Sequence, residues 1–347
     1  MALTEATVRE ALKQVKFPGL TRDIVSFGFV KQVAVEGGTV RVEIVLTTAN
    51  PEAGPQVERE ARAVLEALPG APKVALTVKA QGPQAAAPAP QLLPGVKYKI
   101  AVASGKGGVG KSTVAANLAL ALQLGGSRVG LLDADIYGPS QQMMMGCTDR
   151  PTVAESEKII PVLGNGVAVM SLGFLMDPDT PVIWRGPMVM KALQQFLEDV
   201  EWGELDFLVV DLPPGTGDAQ LTLTQQVPLD GAVIVTTPQD VALIDARKGL
   251  HMFRKVNVPV LGLVENMSVY ICPSCGHREA IFKEGGGRRT ADQLGVPFLG
   301  GIPIDPAIVV GGDAGIPIVA ARPESEAAKA FMEIARAVVE QVTTRRQ

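Results

Sequence analysis

The sequence predicts an α/β protein in which a doubly wound, mostly parallel sheet is preceded by a small α+β domain. Three observations carry this. From residue 96 onward, short continuous apolar runs alternate with helical stretches, and strands apolar on both faces belong in a parallel sheet covered by helices. Before residue 82 the order is helix, strand, strand, helix, strand, with period-two alternation in the strands. Between the two lies "GPQAAAPAPQLLPG", residues 82–95, with four prolines, three consecutive alanines and no charge, the composition of a semi-rigid linker. The expected division is 1–81, 82–95 and 96–347.

In the first part a helix is expected near Thr4 to Lys16, then a strand through "DIVSFGFVKQVAV", a turn at Gly37-Gly38, and "TVRVEIVLTT" with Val40, Val42, Ile44 and Leu46 on one face. Val57, Ala61, Val64, Leu65 and Leu68 are spaced for one buried side of a second helix, and "KVALTV" closes the domain. It contains no Cys and no His, so it offers no soft-metal site. In the second part the expected strands are "VKYKIAVAS", "RVGLLD", "DFLVVD", "GAVIVTT" and "VPVLGLVEN". In such a sheet ligands bind beyond the carboxyl ends of the strands, so functional residues are expected there.

With 347 residues the chain can bury two cores, and 47% hydrophobic with 20% charged residues excludes a disordered or fibrous chain. Aromatics are 4%, so the core is aliphatic. A net charge of −4 gives no general attraction to polyanions, and neither nucleic acid nor membrane is expected as a partner. Three cysteines do not make a disulfide framework. The start reads as an amphipathic helix rather than a leader, so a cytoplasmic protein is expected.

Gly105-Lys106-Gly107-Gly108-Val109-Gly110-Lys111-Ser112, followed by Thr113, fits G-x-x-x-x-G-K-[ST] between an expected strand and an expected helix. Glycines let backbone amides curl around phosphates at a helix N-terminus; Lys111 reaches the outer phosphates and Ser112 offers a hydroxyl to Mg²⁺. Lys106 is surplus. Its side chain points outward, either as a solvated charge or toward the nucleotide of a facing subunit, and spacing does not decide between these. Asp133 and Asp135 follow one strand; a lone acid there would cap the next helix, but two lie beside a phosphate loop. Asp211 ends "DFLVVD" as an acid that holds Mg²⁺ through water. Pro213-Pro214 stiffens the next turn, where Gly215 is expected to expose an amide to the γ-phosphate. Asn266 ends a further strand, and "TTPQD" at 236–240 is expected to line the nucleotide side.

Cys272 and Cys275, in "ICPSCGHREAIF", are spaced to clamp one metal or two corners of a cluster. The chain has no second Cys-x-x-Cys, so a four-sulfur site of this kind needs two chains, and a twofold dimer would complete it. A zinc using His277 lacks a fourth ligand; a zinc bridging two chains stays open. Cys147 and His251 are expected to be structural.

"GKGGVGKST" resembles the deviant Walker A loop of the MinD/ParA/nitrogenase-iron-protein class of nucleotide-sandwich dimers, which implies that Lys106 acts across the dimer interface. Taken with "LLDADIYGPS", "VIWRGPM", "DFLVVDLPPGTGD" and "ENMSVYICPSCGHREAIF", residues 96 to about 340 resemble the Mrp/ApbC family of iron–sulfur cluster carrier ATPases. The first part, with "TRDIVSFGFV", looks like the small iron–sulfur-associated domain often fused ahead of it. The resemblance implies a P-loop ATPase using ATP and Mg²⁺. It also implies a homodimer bridged by a labile 4Fe–4S cluster on Cys272 and Cys275 of both chains, and apo-proteins as recipients. It gives Asp135 the attacking water, Asp133 a place near the Mg²⁺ shell, and Asn266 the adenine edge. "PSQQMMMGC" departs from the family pattern. The alternative is a positioning or partition ATPase of the MinD/ParA type whose cysteines hold structural zinc. Its membrane-lying helix would be the last one, with Phe331, Ile334, Val338 and Val342 near one face; a core-packing helix explains that spacing better.

Overall fold

The computed structural model describes residues 3–18, 23–36, 39–47, 53–69, 73–81, 92–135, 138–175 and 186–345. The chain divides into two units, 1–91 and 92–347. The first is built from α1 (Glu5–Leu12), β1 (Val30–Glu36), β2 (Thr39–Thr47), α2 (Ala53–Glu66) and β3 (Lys73–Gln81). Thr4 caps α1 reciprocally with Thr7: the Thr7 amide donates to Thr4 Oγ1 at 3.3 Å and the Thr4 amide to Thr7 Oγ1 at 2.9 Å. The helix ends at Leu12 rather than Lys16, because the chain turns there to bury Val15. The first strand begins at Val30, not Asp23. Asp23 Oδ1 accepts the amides of Val25 and Ser26 at 3.0 and 2.7 Å, a local turn that takes those donors away from a ladder. β2 is central, antiparallel to β1 and parallel to β3. Its Val40, Val42, Ile44 and Leu46 are buried in one core with Val57, Ala61 and Leu65 of α2. The expected Gly37-Gly38 turn and linker residues 82–91 lie outside the described residues.

The second unit begins with β4 (Val96–Ser104), α3 (Lys111–Leu124), β5 (Val129–Asp133), α4 (Gln141–Met144) and the short strands β6 (Thr152–Val153), β7 (Ile159–Ile160) and β8 (Val162–Gly164). Then come β9 (Val167–Ser171), α5 (Gly186–Glu198), β10 (Leu205–Asp211), α6 (Asp218–Gln226), β11 (Gly231–Thr236), α7 (Asp240–Lys255) and β12 (Val260–Glu265). A hairpin of β13 (Tyr270–Ile271) and β14 (Arg278–Glu279) precedes α8 (Gly286–Leu294), β15 (Phe298–Gly301), α9 (Pro306–Asp313), α10 (Ile318–Ala321) and α11 (Glu326–Thr344). The main sheet has the order β15-β12-β11-β4-β10-β5-β9-β8, parallel except at β8. β5, β10, β11 and β12 are buried along their whole length apart from half-buried Asp206, as continuous apolar runs require.

β4 is where the order reverses: β10 and β5 lie to one side of it and β11 and β12 to the other. The crevice beyond its carboxyl end is the topological switch point, and the glycine loop occupies it. α3 is buried almost all round, from Val114 to Leu122, which seats this helix, and the loop that opens it, firmly against the sheet. Phe331, Ile334, Val338 and Val342 of α11 are buried in the same core, so the apolar face of the last helix is covered by protein. Among the described residues no helix is long and apolar enough to cross a membrane.

Candidate functional site

The glycine loop leaves β4 at Ser104, whose hydroxyl donates to the Lys106 carbonyl at 2.9 Å. Gly108 and Gly110 have φ of +80° and +82°, a left-handed backbone in which a side chain is strained. Gly105 is fixed for another reason: a Cβ there would overlap the Asp245 carbonyl of α7. The loop thus lies directly on a second helix, and α3 starts at Lys111 with its N-terminal amides free for an anion.

Two strand ends, those of β5 and β10, bring the acids to Lys111. Lys111 Nζ lies 2.5 Å from Asp211 Oδ1 and 3.4 Å from Asp135 Oδ2, and 3.2 Å from Ser112 Oγ. Lys111, Asp211 and Asp135 are all buried, Asp211 fully. An ammonium between two carboxylates offsets part of their desolvation, and the lysine is held where the phosphates arrive. Asp133 faces its own loop: Oδ1 accepts the Asp135 amide at 3.1 Å, and Oδ2 accepts the Ser140 and Gln141 amides at 2.9 and 3.0 Å and the Ser171 hydroxyl at 3.0 Å. Burial, with the Asp211 carboxylate nearby, pushes the Asp133 carboxyl up to about 7 against those hydrogen bonds. Burial also raises Asp135, which Lys111 opposes. The Ser112 hydroxyl and the Asp211 carboxylate are oxygen donors of the kind that suits Mg²⁺, which takes one or two protein ligands and keeps its waters.

The other predicted site residues lie around this centre. Lys106 is half-buried and pairs with no carboxylate among the described residues. The Gly215 amide is not exposed as expected: at φ +101° it donates to the Ser104 carbonyl at 2.9 Å, because the segment after β10 continues alongside the end of β4. Asn266 is buried, and its Nδ2 donates to the Val109 carbonyl at 2.9 Å. In this state the amide props the phosphate loop through one Nδ2 hydrogen, which leaves its Oδ1 and the second Nδ2 hydrogen for a base edge.

Cys272 and Cys275 stand in the turn of the β13–β14 hairpin, well separated in the chain from the acids. The Cys272 amide donates to the His277 carbonyl and the Gly276 amide to the Cys272 carbonyl, both at 2.9 Å, with Gly276 at φ +71°. Amides of Cys275 and then Ser274 directed at the Cys272 sulfur lower its thiol below the ordinary value, the thiolate-stabilising arrangement a metal ligand needs. Cys272 is half-buried and Cys275 exposed. No cluster of three or more His, Cys, Asp or Glu that could hold a metal occurs among the described residues, so the pair has no third ligand in its own chain there. Cys147 is half-buried, and burial pushes its thiol up to about 11, the state of an unreactive packed residue.

A family profile described as NUBPL iron-transfer P-loop NTPase matches residues 95–339, and one described as iron–sulfur cluster assembly protein matches residues 5–78. The chain belongs to the NUBPL iron-transfer P-loop NTPase family. Proteins named iron–sulfur cluster carrier protein are similar over nearly the whole length. That of Synechocystis sp. is 47% identical, with 98% of each chain covered, and that of Escherichia coli K12 is 44% identical, with 97% of this chain and 92% of that one covered. Among solved structures, a nucleotide-binding protein of Archaeoglobus fulgidus in complex with ADP is 39% identical. It covers 68% of this chain and 93% of its own, with a TM-score of 0.60. The cell division ATPase MinD of Pyrococcus furiosus is 28% identical, covering 70% and 98%, with a TM-score of 0.52.

Within this iron-transfer NTPase the structure adds two residues that the sequence motifs do not single out. Glu265 is buried at the end of β12 and accepts the amides of Gly285 and Gly287 at 3.1 and 2.5 Å, capping α8 where the cysteine hairpin returns to the fold. Its signal was a lone charge closing an apolar strand. Gln141 is fully buried, and its Nε2 donates to the Ser112 carbonyl at 3.0 Å and to Asp211 Oδ2 at 2.8 Å. Nothing in the spacing of "GPSQQ" marks it.

Proposed function

We propose that this chain is an ATP-dependent carrier that holds a labile 4Fe–4S cluster across a homodimer and passes it to apo-proteins. The glycine loop and the α3 amides bind the phosphates, and Lys111 leaves Asp211 to neutralise them. When bound, Mg²⁺ would supply further neutralisation between the outer phosphates and Asp211, with Ser112 as a ligand. Asp135 orients the attacking water, and Lys106 crosses to the partner subunit's nucleotide as charge develops. Asn266 serves the adenine edge with its Oδ1 and second Nδ2 hydrogen. The cluster is cargo: Cys272 and Cys275 supply two thiolates, and the same pair of the second copy supplies the others.

One observation carries the reading. The two thiols sit on a preformed, amide-lined turn with no third ligand of their own among the described residues. That turn begins six residues after the asparagine that props the phosphate loop, so nucleotide state and sulfur position are linked through one short segment. Support also comes from the family and from relatives named as carriers. The test is anaerobic reconstitution with ferrous iron and sulfide, followed by visible absorption, iron and zinc analysis and mass determination. We expect one four-iron cluster per dimer, lost in Cys272→Ser while ATP binding persists. Retention of the cluster by a single chain, or by the variant, would overturn the reading; zinc alone in the reconstituted dimer would favour a structural metal.

A further inference from the structure

Gln141 lies at the centre of the acid cluster yet belongs to no motif. It is 0% exposed. Its Nε2 joins two groups from different elements, the Ser112 carbonyl of α3 and the Asp211 carboxylate of β10. Its backbone amide donates to Asp133 Oδ2 at 3.0 Å, so one residue touches all three segments that carry the phosphate loop and the two acids. The amide orientation is fixed by chemistry, since Oε1 in place of Nε2 would oppose both an acceptor carbonyl and a carboxylate.

The other end of the amide has no partner. Among the described residues, buried side-chain polar atoms without a hydrogen bond are Gln141 Oε1 and the two amide atoms of Gln220. A buried acceptor left unpaired costs on the order of 1–3 kcal/mol, and such atoms in a native site call for a ligand or water. The side chain carrying this acceptor is bonded to Asp211 and to the residue whose hydroxyl would ligate the metal.

We propose that Gln141 is a positioning residue for magnesium. Its Nε2 holds the Asp211 carboxylate in place against Ser112, and its Oε1 accepts a hydrogen from a water of the hydrated ion. The proposal rests on the magnesium–nucleotide reading above and deepens it. An apolar side chain of the same length keeps the packing and removes both hydrogen-bonding ends. A glutamate keeps the acceptor and loses the donor.

The experiment measures affinity for a fluorescent ADP analogue in EDTA and across a magnesium titration, for the full chain and for Gln141→Met and Gln141→Glu. Circular dichroism and thermal melts establish that each variant is folded. For Gln141→Met we expect affinity in EDTA within twofold of wild type and a magnesium requirement raised about ten- to a hundredfold, the range expected for lost outer-shell partners. Gln141→Glu is expected to need less magnesium than Gln141→Met. An unchanged magnesium requirement in Gln141→Met, or affinity falling equally with and without the metal, would overturn the proposal in favour of simple packing. Equal shifts in both variants would overturn the acceptor role of Oε1. If Gln141→Met does not fold, the same titration on Gln141→Leu decides, since an unchanged magnesium requirement there overturns the proposal. A wild-type chain whose ADP affinity ignores magnesium would instead defeat the underlying reading, and is distinguishable because it shows before any variant is made.

Discussion

Asp133 shows how a residue can be placed by a motif and defined by its surroundings. The sequence puts it at a strand end beside a phosphate loop, as an acid near the metal. In the structure its oxygens take three backbone amides and the Ser171 hydroxyl, so it shapes the loop that carries Asp135. The stability consequence has a definite sign. Its folded carboxyl is raised to about 7, first by burial and then by Asp211, above an unfolded value of about 3.9. The folded state therefore holds the proton more tightly, and stability is highest below the unfolded value and falls as pH rises toward 7. Asp135, also raised by burial, adds in the same direction. We expect the urea midpoint of the nucleotide-free chain to fall between pH 5 and 7 on their account, and the fall to be shallower in Asp133→Asn. The slope is the readout, because asparagine weakens the loop at every pH; equal slopes would remove Asp133 as the titrating group.

At the level of elements, the five strand runs of the second unit are legible because they are short, rich in β-branched residues and bounded by turn residues, and the glycine motif fixes which strand is β4. The remaining strands are not legible in the same way. β9 and β15 are short runs, "VAVMS" and "FLGG", whose pairing with β5 and β12 comes from tertiary neighbours rather than from any period. The Asp23 turn hides in an alternating stretch, and Gln141 acquires its place only when α4 packs beside α3. The contact between loop and helix is likewise invisible in the motif, and it separates two glycines that look alike. A Cβ on Gly105 meets the α7 backbone, whereas one on Gly107 meets nothing within 4 Å, and Gly107 does not have the left-handed φ. Gly105→Ala should therefore destabilise the fold by about 1–3 kcal/mol through overpacking. Gly107→Ala should stay within about 0.5 kcal/mol of wild type while weakening nucleotide binding, since its methyl stands where phosphate approaches. Denaturant midpoints and nucleotide titration on both variants check this; equal stabilities would mean that the loop can lift from α7 without cost.

For the whole molecule, the decisive matter is whether one chain suffices. Lys106 has no carboxylate partner among the described residues, while Lys111 has two. The cysteine turn likewise lacks ligands that a second copy would bring. Under the proposed function a symmetric pair would supply both, each chain lending the other a charge and two sulfurs. A complementation assay separates this from an intramolecular role. Lys106→Ala and Asp135→Ala are each expected to bind nucleotide and to lose hydrolysis by about 10³-fold, the scale of a lost finger residue. Mixed in equal amounts, half the dimers contain one of each. In such a dimer the nucleotide on the Lys106→Ala chain keeps its own Asp135 and receives the intact lysine of the other, so one site works. Turnover of the mixture should then recover to about a quarter of wild type, as twofold symmetry and random pairing require. If Lys106 served its own nucleotide, every site in the mixture would lack one group and no activity would return.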